Sequence, residues 1–165
     1  MIRPAIVLLT FFTLLTGVAY PLTFTLFGAD SLRPGAFATV ADGPDVFWTR
    51  PSVGTPKASS GSNLGPTNPA FLAAVKARVE RVKSAHPTQA KPVPAELVTA
   101  SGSGIDPHLS PLAVRYQVDR VAAARHVSRE RLLELIDDMT EPRFLGVFGE
   151  PRVNVVLLNQ RLADL

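Results

Sequence analysis

The chain has 165 residues, a length that suits one domain with an attachment rather than two domains. It contains no cysteine, which excludes disulfides, thiolate zinc sites, iron–sulfur clusters and a cysteine nucleophile, and its three widely spaced histidines leave little for another metal site. The formal net charge of +3 is too small to indicate a nucleic-acid-binding surface by itself, so no nucleic-acid partner is expected.

The amino-terminal segment has the composition of a membrane span. The 26 consecutive residues from Pro4 to Ala29 carry no charge, and at about 1.5 Å per residue such a helix exceeds the roughly 30 Å hydrocarbon core of a bilayer. The alternative is a signal peptide cleaved near Gly17 and Ala19, but the uncharged stretch continues ten residues past Ala19, which cleavage would not require. Residues 1–29 are therefore predicted to form a cytoplasmic N-terminus and one transmembrane helix.

The charges that flank this span predict its orientation. Arg3 precedes the span, whereas acidic residues dominate after it, at Asp30, Asp42 and Asp45. Since basic flanks stay in the cytoplasm, residues 30–165 are expected to be extracytoplasmic.

One face of the predicted span carries small residues. Thr10, Thr13 and Gly17 share this face, and Thr13 with Gly17 makes a pair at the spacing that lets two helices approach closely in lipid. The alternative, in which the threonines bond back to their own helix, stays open.

The rest of the chain is predicted to form one soluble domain in two parts. Residues 30–68 are rich in Pro, Gly, Ser and Thr, which indicates a loop-rich juxtamembrane part. Residues 69–165 form the helical and mixed part of the same domain, and its first helix is predicted from Asn68-Pro69 to about Ala85. The apolar stripe of this helix comprises Phe71, Leu72, Val75, Val79 and Val82.

The later segments alternate helix signals with strand candidates. Leu97 to Ala100 is a strand candidate, while Ser110-Pro111 and Ser128 each begin a helix. The inner faces of these two helices are predicted to be Val114, Val118, Val121 and Ala122, and Leu132, Leu135, Ile136 and Met139. The C-terminus is predicted to be a helix, and a strand from Val153 to Leu157 is the competing prediction. The fold class is therefore α+β, with a single N-terminal transmembrane helix followed by one small extracytoplasmic α+β domain.

The chain shows no pattern typical of catalysis. The glycine-rich stretches 61–65 and 101–104 lack the lysine of a phosphate-binding loop. Asp106 and His108 suggest a hydrolase triad with a nearby serine, but their spacing matches no nucleophile elbow, and an Asp106-Pro107 turn with a hydrogen-bonded His108 is the preferred interpretation. We expect no catalytic residue and no metal ligand.

A second class of function is suggested by residues 121–132, which resemble a helix-turn-helix. Arg129 and Arg131 lie where a recognition helix begins, and the computed isoelectric point near 9.7 would suit a membrane-tethered regulator. An exported domain never meets DNA, so this alternative requires the opposite topology.

Several stretches together resemble the C-subunit family of the bacterial high-affinity potassium-transporting ATPase, the Kdp complex. They occur in the family's order over nearly the whole chain. They are Arg3-Pro4-Ala5, Leu14-Leu15-Thr16-Gly17, Tyr20-Pro21-Leu22, residues 48–52, 61–69 and 98–108, Ser110-Pro111, Gln117, and residues 149–155. One departure is that Asp30 to Asp45 replaces a longer family segment, which affects the contacts expected just outside the membrane.

The resemblance implies a single-pass subunit of the bacterial inner membrane, with its domain on the outer face. Its implied partners are a channel-like potassium-selecting subunit, a P-type ATPase subunit and a small stabilising chain, in addition to the lipid bilayer. Potassium is the transported ion, and ATP is used by the complex rather than hydrolysed by this chain. The family is described as a catalytic chaperone that raises the ATP affinity of the ATPase subunit, with a role for the glutamine that corresponds to Gln117. An exported Gln117 cannot reach cytoplasmic ATP, so such an effect is expected to act by coupling through the complex.

We expect partner contacts at two places. The span is expected to dock on a neighbouring helix through Thr13 and Gly17. The outer domain is expected to cover the ion entrance with two loops, whose contact candidates are Asn63, Gly65, Pro66, Thr67 and Asn68 in one, and Ser101, Gly102, Ser103, Gly104, Asp106 and His108 in the other.

Overall fold

The computed structural model describes residues 2–27, 41–51 and 58–165. The chain divides into two units, Met1–Ala36 and Phe37–Leu165. The predicted boundary between residues 29 and 30 lies outside the described residues, as does most of the shortened segment from Asp30 to Asp45.

The described part of the first unit, residues 2–27, is a single helical rod. Helix α1 spans Ile2–Leu14, a π-helical turn follows over Leu15–Ala19, and α2 spans Tyr20–Phe27. Together Ile2–Leu26 form an apolar helix of 25 residues that is long enough to cross a membrane, and none of its side chains is buried in protein. This rod fits the predicted single-pass arrangement.

The π turn lets the rod continue through Pro21. A proline lacks the N–H that would bond to the carbonyl four residues earlier, and its ring crowds that carbonyl. In the preceding turn the Tyr20 N–H donates to the Leu15 carbonyl, five residues back, which widens the turn. The helix therefore neither breaks nor ends at Pro21.

Among the described residues of the second unit, the first helix is α3, Pro69–Ala85. The Asn68 side chain caps it by accepting from the Ala70 N–H at 2.9 Å, so the predicted bounds are confirmed. The predicted stripe is wrong at Leu72, which is 53% exposed. Leu72 follows Phe71 directly and is rotated by about 100° around the helix, away from the buried side that ends at Val82.

The strand predicted at residues 97–100 is also wrong. A 3₁₀ turn, Ala95–Leu97, occupies its start, and the N–H groups of Val98 and Thr99 both donate to the Ala95 carbonyl. Leu97 and Val98 are both buried, which a single tight turn achieves as well as a strand does. A run of two apolar residues does not distinguish the two.

Three further helices follow. The helix predicted from Ser110 is two helices, α4 (Pro111–Arg115) and α5 (Val118–Arg125), and α6 (Arg129–Asp138) begins at the predicted Ser128 cap. His126, in the left-handed region at φ 57°, ends α5. The predicted inner faces are confirmed, with Val114, Val118, Val121, Leu132 and Ile136 fully buried and Ala122, Leu135 and Met139 partly buried.

A small antiparallel sheet completes the α+β fold. Its strands are β1 (His108–Leu109), β2 (Thr140–Glu141) and β3 (Arg152–Asn154), in the order β1-β3-β2. His108 pairs with Asn154, and Thr140 pairs with Val153. Helix α7, Val155–Ala163, starts directly after β3, so each of the two competing predictions for the C-terminus holds for part of it.

The segment 41–51 is tied to the core of this unit. Phe47 is fully buried, and the Asn159 side chain bonds both its N–H and its carbonyl at 2.8 Å. The described parts of the loop-rich region, residues 41–51 and 58–68, contain no helix and no named strand.

Candidate functional site

The residues just before the predicted contact loop Asn63–Asn68 lie against the second predicted contact loop, Ser101–His108. The Ser59 hydroxyl donates to the Ser103 carbonyl at 2.9 Å. A Cβ at Gly61 would lie 2.7 Å from the Gly102 carbonyl oxygen, so only glycine fits there without a shift of backbone. No pattern in the sequence predicts this contact.

The loop from Ser101 to His108 is built by its own side chains. The Ser101 hydroxyl accepts from the Gly104 N–H at 2.9 Å, and the Asp106 carboxylate accepts from the His108 N–H at 3.0 Å. His108 Nδ1 also donates to the same carboxylate oxygen at 2.9 Å. These bonds fix the turn at Asp106 that the sequence predicted.

The Asp106–His108 pair lacks the rest of a hydrolase triad. Within residues 2–27, 41–51 and 58–165, the polar partner of the His108 ring is Asp106, and no serine hydroxyl bonds to that ring. The hydrogen bond from His108 lowers the pKa of Asp106, while burial acts in the opposite direction. The pair orders the loop and offers no nucleophile.

The other loop serves the helix that follows it. Asn68 caps α3, and its N–H donates to the Gly65 carbonyl at 3.1 Å. Asn63 has a left-handed backbone at φ 52°. Gly65, Pro66 and Thr67 are exposed, so their predicted partner contacts are sterically open.

Gln117 is the most buried polar residue among those that the structure describes in the second unit. Its side chain has no exposed surface, and its amide is bonded on both sides. The oxygen accepts from the Trp48 N–H at 2.7 Å and from Arg120 at 2.9 Å, while the nitrogen donates to the carbonyls of Trp48, at 3.1 Å, and Ala113, at 3.3 Å. The Gln117 side chain therefore bonds to both backbone polar groups of Trp48, as a neighbouring β-strand would.

Arg120 lies beside Gln117 with every guanidinium nitrogen engaged. Its charge faces the Trp48 ring at 4.6 Å from the centroid, and burial lowers the pKa of Arg120 to about 10. Its hydrogen-bond acceptors are the carbonyls of Gly43 (2.9 Å), Pro44 (2.7 Å) and Val46 (2.9 Å), the Gln117 amide oxygen, and His86 Nε2 (3.0 Å). We call Trp48, His86, Gln117 and Arg120 the Trp48 cluster.

His86 is held in its neutral form within this cluster. Its Nδ1 donates to the Val82 carbonyl at 2.7 Å, so its Nε2 is free of a proton and accepts from Arg120. Burial lowers the pKa of His86, the Val82 bond opposes that effect, and the Arg120 charge adds to it.

The Trp48 cluster was not predicted as a unit from the sequence. Gln117 and Trp48 entered through the resemblance, whereas Arg120 and the buried role of His86 were missed. The cluster joins segment 41–51 to α3 and α5 across up to 77 positions of sequence. Arg120 is one of two arginines on the short helix α5, and nothing in its spacing indicates these contacts.

The predicted contact face of the span is exposed on the rod. Gly17 has open space around a Cβ position, and Thr13 is exposed. Among the described threonines, those that bond back to a carbonyl of their own helix are Thr16, Thr23 and Thr25.

The arginines of the suggested helix-turn-helix are paired with carboxylates. Arg129 lies 3.0 Å from Asp119, and Arg131 lies 3.2 Å from Glu134. The start of α6 therefore presents no unpaired basic pair to a phosphate backbone, and the regulator alternative is not supported.

Replacing Gln117 by alanine is expected to destabilise the domain. The Trp48 N–H and carbonyl would lose their partners in a buried site, at a cost of about 2–4 kcal/mol of unfolding free energy. Thermal unfolding of the full chain in detergent, followed by the fluorescence of its single tryptophan, measures this loss. The exposed Gln160→Ala is the matched control, and equal midpoints for the two variants would contradict the assignment.

The stability of the domain is expected to fall as the pH drops below about 6.5. Because the folded-state pKa of His86 lies below its ordinary value, the unfolded chain takes up a proton at a higher pH than the folded chain does. The contribution of His86 to the free energy of unfolding is therefore full above pH 6.5 and is lost as the pH falls below that value. The Asp106 contribution is lost only below pH 3.8, outside this window.

Denaturant unfolding of His86→Gln measured between pH 7 and pH 5 tests this, since glutamine retains an acceptor for Arg120 without taking up a proton. The variant is expected to lose most of the slope, whereas His126→Asn, at an exposed histidine, is expected to keep it. An unchanged slope in His86→Gln would remove His86 as the cause.

Comparison with known proteins identifies the family. The sequence matches the protein-family model KdpC, described as the K+-transporting ATPase, c chain, over residues 34–164. The potassium-transporting ATPase KdpC subunit of Sorangium cellulosum is 46% identical, over 98% of this chain and 96% of the relative. The corresponding subunits of Ralstonia nicotianae and Methylococcus capsulatus are 44% and 45% identical, over 100% and 99% of this chain and 91% and 97% of theirs. The chain therefore belongs to the KdpC family, that of the c chain of the K+-transporting ATPase.

Proposed function

We propose that this chain is an accessory, non-hydrolysing subunit of an ATP-driven, high-affinity potassium import complex. The observation that carries the proposal is the family match over residues 34–164, together with relatives of full length that are named as subunits of a potassium-transporting ATPase. In this role the chain supports assembly of the complex and raises the ATP affinity of its ATPase subunit.

The structure of the soluble unit supports a role in binding rather than in chemistry. The glycine-rich loops at 61–65 and 101–104 are packed loop to loop, and Asp106 and His108 order a turn. ATP is then bound by the ATPase subunit, and potassium is the cargo of the complex.

The rod and the flanking charges support the proposed arrangement in the membrane. The amino terminus is cytoplasmic, the rod crosses the bacterial inner membrane once, and the domain is extracytoplasmic. Its partners are the channel-like potassium-selecting subunit, the P-type ATPase subunit and the small stabilising chain. Thr13 and Gly17 dock the rod, and the two loops contact the outer surface of the complex.

An effect of Gln117 on ATP affinity acts through the Trp48 cluster. The Gln117 amide is bonded entirely within the domain, so a nucleotide would have to displace Trp48 or Arg120 to reach it. A domain that binds one state of the ATPase better than another shifts its nucleotide affinity without touching the nucleotide.

Replacing Gly17 by leucine is expected to weaken assembly. A leucine there would separate two helices that approach at a small residue. Co-purification of the tagged subunit with the rest of the complex from detergent measures the effect, and a several-fold loss of yield is expected. Ala19→Leu adds the same side chain about 160–200° around the rod and is expected to leave the yield unchanged. Equal yields for the two variants would rule out docking at Gly17.

The ATP dependence of the assembled pump separates coupling from direct contact. Both Gln117→Ala and Arg120→Lys disturb the Trp48 cluster, so coupling predicts that both raise the ATP concentration for half-maximal activity, by about threefold or more. Direct contact predicts an effect of Gln117→Ala alone. If neither variant changes the ATP dependence, the cluster has no part in nucleotide affinity.

A further inference from the structure

The segment between β2 and β3 is an exposed apolar hairpin. Its four large apolar side chains are Phe144, Leu145, Val147 and Phe148, which are 72%, 76%, 71% and 63% exposed. Other exposed leucines of this unit, such as Leu112, stand singly, which is ordinary for a protein surface. A patch of four neighbouring exposed apolar side chains is not ordinary, because exposing each of them to water is unfavourable. We call residues 143–150 the apolar knob.

The backbone of the knob is built to hold these side chains out. Phe144 and Phe148 exchange two backbone hydrogen bonds at 2.9 Å, and the Gly146 N–H donates to the Arg143 carbonyl at 3.0 Å. Leu145 adopts a left-handed backbone at φ 52°, which is uncommon for a residue with a branched side chain. The tight turn thus presents a leucine at its tip and leaves it unburied.

The charges of the knob are neutralised at its base. Arg143 lies 2.7 Å from Glu150, and just outside the knob Arg152 lies 2.8 Å from Glu141. Between Arg143 and Glu150 no residue carries a charge. The knob therefore offers an occupant apolar contact alone, since no unpaired charge is left to match one.

The length of the chain limits how far the second unit can lie from the rod. The rod ends at Phe27, and the described chain resumes at residue 41, so the connection spans at most about 50 Å even when fully extended. A covalent connection of limited length raises the effective concentration of the domain at a bilayer that holds the rod, so even weak partitioning is sufficient for contact. All four side chains are uncovered, and lipid, unlike a groove, surrounds a projecting loop on every side.

We propose that the apolar knob inserts into the surface of the bilayer that holds the rod, giving the domain a second membrane contact. Burial of such apolar side chains away from water is favourable, and interfacial insertion reaches about 5–10 Å into the boundary between headgroups and acyl chains. The inserted residues are Phe144, Leu145, Val147 and Phe148, and the Arg143–Glu150 pair stays at headgroup level. The contact needs no other subunit, and it rests on the proposed function only for the rod that anchors the chain in the bilayer.

A single label on the knob tests this directly, because the chain has no other cysteine. Val147→Cys carries an environment-sensitive fluorophore in the full chain, reconstituted alone into phosphatidylethanolamine/phosphatidylglycerol vesicles with or without nitroxide-bearing acyl chains. We expect blue-shifted emission and about twofold quenching by the nitroxide lipid. Leu112→Cys, at a side chain of similar exposure, 69%, is the control and is expected to show neither.

A second variant separates insertion from misfolding. Leu145→Asp, added to Val147→Cys, puts a charge at the tip in a backbone region that aspartate tolerates, so the fold is kept and the quenching falls to the Leu112→Cys level. Unchanged Trp48 emission verifies the fold. The proposal is overturned by equal quenching at positions 147 and 112. It is also overturned by a label at 147 that leaves water only when the other pump subunits are added, which assigns the knob to a protein surface.

Discussion

The second unit depends on the guanidinium of Arg120, whose charge is largely removed from water. Burying a charge costs several kcal/mol unless hydrogen bonds replace its hydration. Here backbone carbonyls of segment 41–51, the Gln117 amide and the His86 imidazole replace that water, and the Trp48 ring covers one side. These groups together offset the loss of hydration around the charge. An irregular segment is thereby fixed to α3 and α5 without a strand or a disulfide.

The same constraint explains the environment of Gln117. A glutamine with four bonded positions joins two backbone groups of Trp48 to α4 and to Arg120. Gln117 lies at the break between α4 and α5, so its amide is positioned where the helix is interrupted. The family resemblance links Gln117 to nucleotide, but in the folded domain its amide connects separate segments of the chain.

Local signals were enough to predict most of the helices. The Asn68-Pro69 and Ser110-Pro111 pairs and the Ser128 cap act within one turn, so their effect is readable from neighbouring residues. The prediction of a strand at Leu97 was wrong because burial of two consecutive residues suits a tight turn equally well. Leu72 was misplaced because an apolar residue beside a stripe is not necessarily part of it.

The candidate site was less predictable, since its contacts join distant positions. The turn at Asp106 is local and was predicted, whereas the approach of Gly61 to Gly102 and the reach of Arg120 to Gly43 depend on the completed fold. Neither leaves a periodic pattern in the sequence. The family resemblance supplied the glutamine but not the arginine beside it.

The widened turn at Leu15–Ala19 also affects how the rod can be recognised. One additional residue per turn offsets the azimuth of everything that follows, so side chains spaced four apart before and after it no longer form one continuous ridge. A straight neighbouring helix that packs along Thr13 and Gly17 would therefore contact a different side of the rod once it reaches α2. Deletion of a single residue here would realign the two halves, so this turn sets which sides of α1 and α2 one neighbour can contact together.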